Sequence, residues 1–307
     1  MNYLVFDWGG TFLKYAIMNE ETDILEKSKV PAPSVEASVE EMLERIDPIV
    51  EQYRDSVQGI AISMPGMLND RNGYCRTAGS LRFFTGITVG TLLHERYHLP
   101  VSVQNDGKSA VLAEHWKGAL QGCKDCAVIV IGTGIGGGII LNDRLLVGKD
   151  FSAGEYSFLN TNDSITDSWD GYWCRNGHTA LGEYVASKTG ESPDTLNGIE
   201  IFRRIREDDD PIAKEALRHL TDAYAVQIYN LAILLDLERI AIGGGISEDP
   251  LLMEYLYDSI RKMRSNLPFE VYSEVLPEAE VVVCRYHNDA NLIGALYHHL
   301  YGEWENR

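Results

Sequence analysis

The sequence has little positive charge. Lysine and arginine number 27 against 46 aspartates and glutamates, a formal net charge of −19 over 307 residues. Nucleic acids and anionic membranes are recognised through basic footprints, so neither is expected as a partner. A phosphorylated small ligand stays open, because backbone amides can hold phosphate without Lys or Arg. Long apolar runs are missing too. Nothing approaches the ~18 uninterrupted apolar residues of a membrane span. The opening MNYLVFDWGG lacks a basic n-region, so no signal peptide is expected. Cysteine is scarce, five in all and widely spread, which points to a reducing cytoplasm rather than a disulfide framework. Cys123 and Cys126 make a C-x-x-C, but without a second pair or a βαβ context a plain loop before a strand is the better reading. No low-complexity linker is visible. With 45% apolar and 24% charged residues, the chain reads as globular with a sizeable core, and its length is comfortable for two domains.

What is present is glycine at the ends of strands. Residues 129–142, IVIGTGIGGGIILN, contain Gly132, Gly134 and Gly137 in the G-x-G-x-x-G spacing. As a dinucleotide fingerprint this needs a strand before it and a helix opening on it. The strand is there from Ala127 to Ile131. The helix is not: Ile139-Ile140-Leu141-Asn142-Asp143 reads as a second strand running into a turn. Strand, glycine turn, strand is a hairpin and not a Rossmann crossover, though it can still aim several N–H groups at one phosphate.

Along the chain, 3–7 and 12–18 read as strands around Gly9-Gly10. Residues 34–55 carry Val39, Met42, Leu43, Ile46, Val50 and Tyr53 at helical spacing. Strands follow at 58–66, ending in a Pro-Gly turn, and at 99–106. A helix is expected over 107–120, the glycine hairpin over 127–142, and a loop-rich stretch over 148–182. Helices run through 183–235, and 238–247 is a strand and glycine turn. A helix at 251–264, a strand near 280–285 and a helix at 290–302 finish the chain. LVFDWGGTFLKYAIM and AVIVIGTGIGGGIILN share one layout, which suggests two related halves, joined near 115–125 and 285–292. Polar residues collect at Asp7, Asn105-Asp106, Gly132–Gly138 and Gly243–Gly245. In open α/β sheets, ligands sit beyond the carboxyl ends of strands.

One such turn could be structural, since glycine often only supplies φ > 0. Three together read as a nucleotide cradle. Gly9, Gly10 and Thr11 would offer amides and a hydroxyl to the outer phosphates, with Gly132 to Gly138 on the opposite side. Asp7 would hold Mg²⁺ through water, since Mg²⁺ keeps much of its hydration. Asp106 has two readings. It caps the 107–120 helix, or it takes a proton from an acceptor hydroxyl in phosphoryl transfer, where positioning matters more than covalent chemistry.

Six motifs in order carry a resemblance: Asp-x-Gly-Gly-Thr at 7–11, Gly-x-Ala-x-Ser-x-Pro-Gly at 59–66, Asn-Asp at 105–106, Gly-Thr-Gly-Ile-Gly-Gly at 132–137, Ala-Gly-Glu at 153–155 and Ile-Gly-Gly-Gly-Ile-Ser at 242–247. Together they resemble the ROK family of sugar kinases and sugar-responsive repressors, essentially end to end. The resemblance implies a two-domain, actin-like ATPase (ribonuclease H-like) α/β fold, each domain a mixed sheet flanked by helices. It implies a sugar and phosphate side at 1–117 with 290–307 and a nucleotide side at 118–289. It also implies the roles. Asp106 would be the general base, and Asn105, Glu155, Gly66 and Glu183 would bind the sugar. Asp7, Gly9, Gly10, Thr11, Lys14, Gly132, Thr133, Gly134 and Gly136 would serve ATP and its phosphates, with Gly243, Gly244 and Gly245 under the adenosine. ATP and Mg²⁺ are the implied cofactors, and a homodimer is the implied assembly.

The zinc pattern of the family is broken. Many members hold a structural zinc by one His and three Cys. Here GEYSF (154–158) puts Phe158 at the His, and CRNGHTALGE (174–183) keeps Cys174 but has Asn176 and Leu181 at two Cys positions. A structural zinc needs four donors, so none is expected, and His178 lies at a spacing no ligand of the pattern occupies. Trp169, Tyr172 and Trp173 crowd the same loop, either as packing in place of the metal or as a platform for a sugar face. Losing the His also removes a group that, by resemblance, touches the sugar. Lys108, where many members have Asn, either lies near Asp106 and lowers its pKa or points to solvent. FDWGGTFLKYA, AGSLRFF and AGEYSF are similar to a zinc-lacking branch described as β-glucoside kinases. The expectation is phosphorylation of a primary hydroxyl, O6 of a hexose or β-glucoside. Glucokinase or N-acetylmannosamine kinase activity is the alternative within the family. A sugar sensor lacking a DNA-binding domain, or a nucleotide-binding assembly protein, is the alternative outside it.

Overall fold

A computed structural model describes residues 1–162 and 168–305. The chain forms two compact units: Met1–Gln121 with Leu145–Gly154 and Asn288–Arg307, and Gly122–Arg144 with Glu155–His287.

In the first unit, strands β1 (Asn2–Trp8), β2 (Phe12–Asn19) and β3 (Ile24–Pro31) form an antiparallel meander. Helix α1 (Val39–Tyr53) opens on Ser38, whose hydroxyl accepts from the Glu41 N–H (3.2 Å) while Glu41 Oε2 accepts from the Ser38 N–H (2.7 Å). This reciprocal cap starts the helix inside the expected 34–55, and its buried stripe Met42, Leu43, Ile46, Ile49, Val50 and Tyr53 faces the core. Strand β4 (Ile60–Met64) is followed by a small hairpin of β5 (Leu68–Asn69) and β6 (Tyr74–Cys75), helix α2 (Val89–Tyr97) and strand β7 (Val101–Asn105). The sheet order is β3-β2-β1-β4-β7, with β1, β4 and β7 parallel. Helix α3 (Asp106–Lys117) packs against the last helix, Ala290–Tyr301. They approach so closely at Gly294 that a Cβ there would sit 1.7 Å from Ser109 O.

In the second unit, β8 (Cys126–Ile131) and β9 (Ile135–Leu141) make the glycine hairpin, flanked by the short β10 (Arg144–Leu145). Three helices occupy the region expected to be helical through 183–235: α4 (Ala180–Thr189), α5 (Gly198–Glu207) and α6 (Pro211–Leu235). The breaks are chemical. Asn197 caps α5 by accepting from the Glu200 N–H (3.0 Å), and Asp210 caps α6 ahead of Pro211 (2.8 Å to the Ile212 N–H), where a proline costs no hydrogen bond. Strand β11 (Arg239–Gly243), helices α7 (Pro250–Ser265) and α8 (Glu270–Val275) and strand β12 (Glu280–Val283) complete the unit. Its sheet order is β10-β9-β8-β11-β12, with β8, β11 and β12 parallel.

Each unit therefore repeats one plan, an antiparallel hairpin whose first strand continues into parallel strands, as the two similar sequence stretches suggest. Several elements escape the sequence reading, β3 and α2 among them. Strand β3 is a charged edge, ILEKSKVP, mostly exposed, and charge on an edge strand protects it from mispairing at the cost of any alternating signal. Helix α2 is short, with no side-chain cap. Among the described residues no helix is long and apolar enough to cross a membrane.

Candidate functional site

The strand ends in each unit gather the residues singled out by sequence. In the first unit, Asp7 is buried near the end of β1 and pairs in register with Lys14 on β2. Its two carboxylate oxygens are both engaged: Oδ2 with Lys14 Nζ (3.1 Å) and Oδ1 with the Asn291 amide (3.0 Å). The turn beyond is closed by the Gly9 N–H donating to Phe12 O (3.0 Å), leaving Gly10 and Thr11 exposed at its tip. Gly9 thus shapes the turn, while Gly10 and Thr11 are the members accessible to a ligand. Asp7, Ser63 and Gln104 lie in register across β1, β4 and β7.

The helix cap is Asn105 and not Asp106, which corrects one of the two readings of the aspartate. Asn105 closes β7, is buried, and its Oδ1 accepts from the Lys108 N–H (2.9 Å). An aspartate at the first helical position cannot cap in that way, because the cap residue must be extended while its side chain turns back. Asp106 is held instead by the Gly107 N–H (2.8 Å) and the Asn105 amide (3.0 Å), both on Oδ1. Its carboxyl lies at the positive end of α3. The Asn105 amide also donates to Gly66 O (2.9 Å). Gly66 must be glycine: φ is +115° and a Cβ would meet Thr77 O at 2.1 Å. Lys108 does not point to solvent. It is 1% exposed, and its Nζ donates to Phe151 O (3.2 Å) in the segment that leads to Glu155.

In the second unit, the hairpin turn is internally bonded. The Gly132 N–H donates to Gly134 O (2.9 Å), the Ile135 N–H to Ser157 Oγ (2.9 Å), and Gly132 O accepts from the His178 N–H (2.9 Å). Gly132 and Gly134 therefore set the turn's shape, with Thr133 exposed at its tip and Gly136 on β9 opposite Val130. His178 enters through its backbone. Glu155 precedes a single turn of 3₁₀ helix, Tyr156–Phe158. Glu183 lies in the first turn of α4 and accepts from Arg175 (2.9 Å). Gly243 ends β11, and Gly244 has φ +99° with a Cβ position 2.1 Å from Ile131 O. Beside Gly245 lies a cavity of about 440 Å³ lined in part by Gly198, Phe202, Arg203, Arg206 and Pro250. The sequence reading missed these α5 residues. Their only signal was an amphipathic helix, which marks a buried face without naming what lies along its rim.

The aromatic loop divides. Trp173 is fully buried, its ring 5.7 Å from Tyr156 and 5.3 Å from Tyr224. Trp169 and Phe158 face outward, 59% and 50% exposed. The packing reading therefore holds for Trp173, while Trp169 keeps an exposed ring. Leu181, at one lost cysteine position, is buried in the core. No group of three or more His, Cys, Asp or Glu able to hold a metal occurs among the described residues. None of the five cysteines forms a disulfide. Burial pushes the Cys75 and Cys126 thiols up to about 12, so neither is a ready nucleophile.

Comparisons with known proteins agree with this geometry. The model described as "ROK family" matches residues 3–300. A β-glucoside kinase from Listeria innocua is 31% identical over 310 residues, covering 100% of this chain and 99% of that one. A Streptococcus pneumoniae ROK family protein in complex with sucrose has 27% identity and a TM-score of 0.86 over 99% of both chains. A Streptomyces griseus ROK family glucokinase in complex with glucose and AMPPNP has 27% identity and a TM-score of 0.78, covering 96% of this chain and 98% of that one.

Proposed function

Because the chain belongs to the ROK family and has its actin-like ATPase fold, we propose that it is an ATP-dependent sugar kinase that phosphorylates a primary hydroxyl, O6, of a β-linked glucoside. The observation that carries the reading is the Asn105–Asp106 pair, a carboxylate oriented by its neighbouring amide at the positive end of α3. The similarity to a protein named β-glucoside kinase favours the substrate class.

Asp106 accepts the proton of the sugar hydroxyl as that oxygen attacks the γ-phosphorus and ADP leaves. Little covalent chemistry is asked of the protein, whose part is alignment and charge stabilisation. Asn105 and Gly66 fix the carboxylate, and Glu155 and Glu183 bind sugar hydroxyls. In the first unit, Gly9, Gly10, Thr11 and Lys14 are the candidates for phosphate contact. In the second unit, the candidates are Gly132, Thr133, Gly134 and Gly136. Gly243–Gly245 and the cavity beside Gly245 receive adenosine, in keeping with the preference of ligands for concave sites with few polar groups. Asp7 suits Mg²⁺ through water. It is a buried carboxylate oriented by Lys14 and Asn291, and the ion would neutralise phosphate charge.

The test is ADP release from ATP and Mg²⁺ over cellobiose, gentiobiose, glucose, fructose, N-acetylmannosamine and N-acetylglucosamine. Turnover on the two β-glucosides with weak monosaccharides is the expected result. Turnover confined to one monosaccharide would keep the mechanism and replace the substrate. No turnover on any sugar by protein that binds ATP would overturn the kinase reading.

A further inference from the structure

Among the described residues, the outward rings of the aromatic loop bury only part of their surface. Phe158 and Trp169 are half or more exposed, yet their rings lie together, centroids 6.0 Å apart at 58°, and Trp169 continues to Tyr172 at 5.1 Å and 54°. Trp173, one residue on, is fully buried, so the chain sends one indole inward and another outward. The two arms bearing the outward rings are tied to each other. The Thr161 N–H donates to Gly171 O (2.8 Å), the Trp173 N–H to Leu159 O (2.9 Å), and Asn160 bridges Tyr172. The rings are thus held in a preformed, tilted arrangement before any ligand arrives. Exposed, contiguous apolar surface rimmed by polar groups marks a binding site. The rim here is Asp170 and Arg175, themselves ion-paired at 3.3 Å, with Arg175 also bound to Glu183.

We propose that Phe158, Trp169 and Tyr172 form a subsite for the group carried on C1 of the glucoside, a second pyranose or an aryl aglycone. This rests on the sugar-kinase reading and names where its specificity lies. Phe158 sits one 3₁₀ turn after Glu155, its N–H donating to Glu155 O (3.1 Å), so the aromatic patch begins within one turn of the residue proposed to hold the sugar. The CH face of a pyranose, or an aryl ring, covers aromatic surface that water otherwise wets. Hydroxyls of the added ring meet Asp170 and Arg175 at the rim. A free monosaccharide leaves the rings uncovered, so the subsite discriminates by what lies beyond C1.

The experiment compares Phe158→Ala, Trp169→Ala and Trp169→Phe with the unaltered chain on methyl β-glucoside, phenyl β-glucoside and cellobiose. The alanine variants should raise KM for phenyl β-glucoside and cellobiose on the order of tenfold. Methyl β-glucoside should be unaffected and kcat near normal, and Trp169→Phe should restore most of the loss. An equal shift on all three substrates, or none on any, would overturn the subsite and leave the kinase reading intact. Calorimetric titration of cellobiose without ATP separates the two ideas. Binding that depends on Trp169 in a chain that turns over no sugar would uphold the subsite and sink the kinase reading. Neither binding nor turnover would sink both.

Discussion

Asp106 is positioned by its own neighbours before any substrate arrives. Its Oδ1 accepts two hydrogen bonds, one from Gly107 and one from Asn105, itself tied to Gly66. Replacing the carboxylate by an amide of the same shape removes the base while keeping the outline of the site. Asp106→Asn should therefore lower kcat by at least ~10² while calorimetry finds sugar affinity nearly intact. Near-normal turnover would mean that another group takes the proton. Lys108 presents a different residue-scale case. A lysine 1% exposed, with Nζ on Phe151 O, secures the segment running into Glu155, which Arg76 also grips through Asp150 (2.7 Å). Lys108→Met would leave the Phe151 carbonyl without this donor and should cost ~1–3 kcal/mol in denaturant unfolding, with a raised KM for the sugar. An unchanged denaturant midpoint and an unchanged KM would reduce Lys108 to filler. Asp106 was legible as a candidate because it stands at a strand end. The burial of Lys108 was not, since it depends on a segment more than forty positions away.

At the scale of elements, the strand–glycine–strand hairpins were legible because β-branched runs and glycine turns are local signals. That same locality exposed the G-x-G-x-x-G of 132–137 as a hairpin and not a Rossmann turn. Edge strand β3 was invisible, since pairing with β2 and not its own apolar pattern makes it a strand. Which residue caps α3 also lay beyond reach, because Asn and Asp are equally good caps and only the chain path decides. The glycines after β11 give a sharp element-scale expectation. Gly244 has φ +99° and ψ 160°, a region almost restricted to glycine, and an added Cβ would collide with Ile131 O. Gly244→Ala should destabilise the protein by ~1–3 kcal/mol or more. Gly245→Ala, where nothing lies within 4 Å of the added Cβ, should unfold like the unaltered chain yet weaken AMPPNP binding if adenosine lies over this turn. Equal stability of the two variants would remove the strain argument. Undiminished nucleotide affinity in Gly245→Ala would move adenosine elsewhere.

At the scale of the whole molecule, the repeated plan of the two units follows from two sequence stretches with one layout. That aromatic packing could hold the loop-rich 148–182 region without a metal was legible, but which ring turns inward was not, because tertiary neighbours decide it. The replacement is aromatic. Trp173 is buried between Tyr156 and Tyr224, Tyr224 donates to Asn176 O (2.9 Å), and Tyr156 reaches Gly138 O (3.4 Å). Cys174 is the one cysteine of the pattern that remains, and a tetrahedral structural site needs four donors. Elemental analysis of the purified protein should thus find zinc well below one per chain. A chelator should leave the unfolding temperature where it was, whereas a metal-stapled fold would lose its stability with its ion. Trp173→Ala should instead cost ~3–5 kcal/mol, the range for emptying a large aromatic site in a core. One zinc per chain together with a chelator-sensitive Tm would show that metal, and not the Tyr156–Trp173–Tyr224 stack, holds this region.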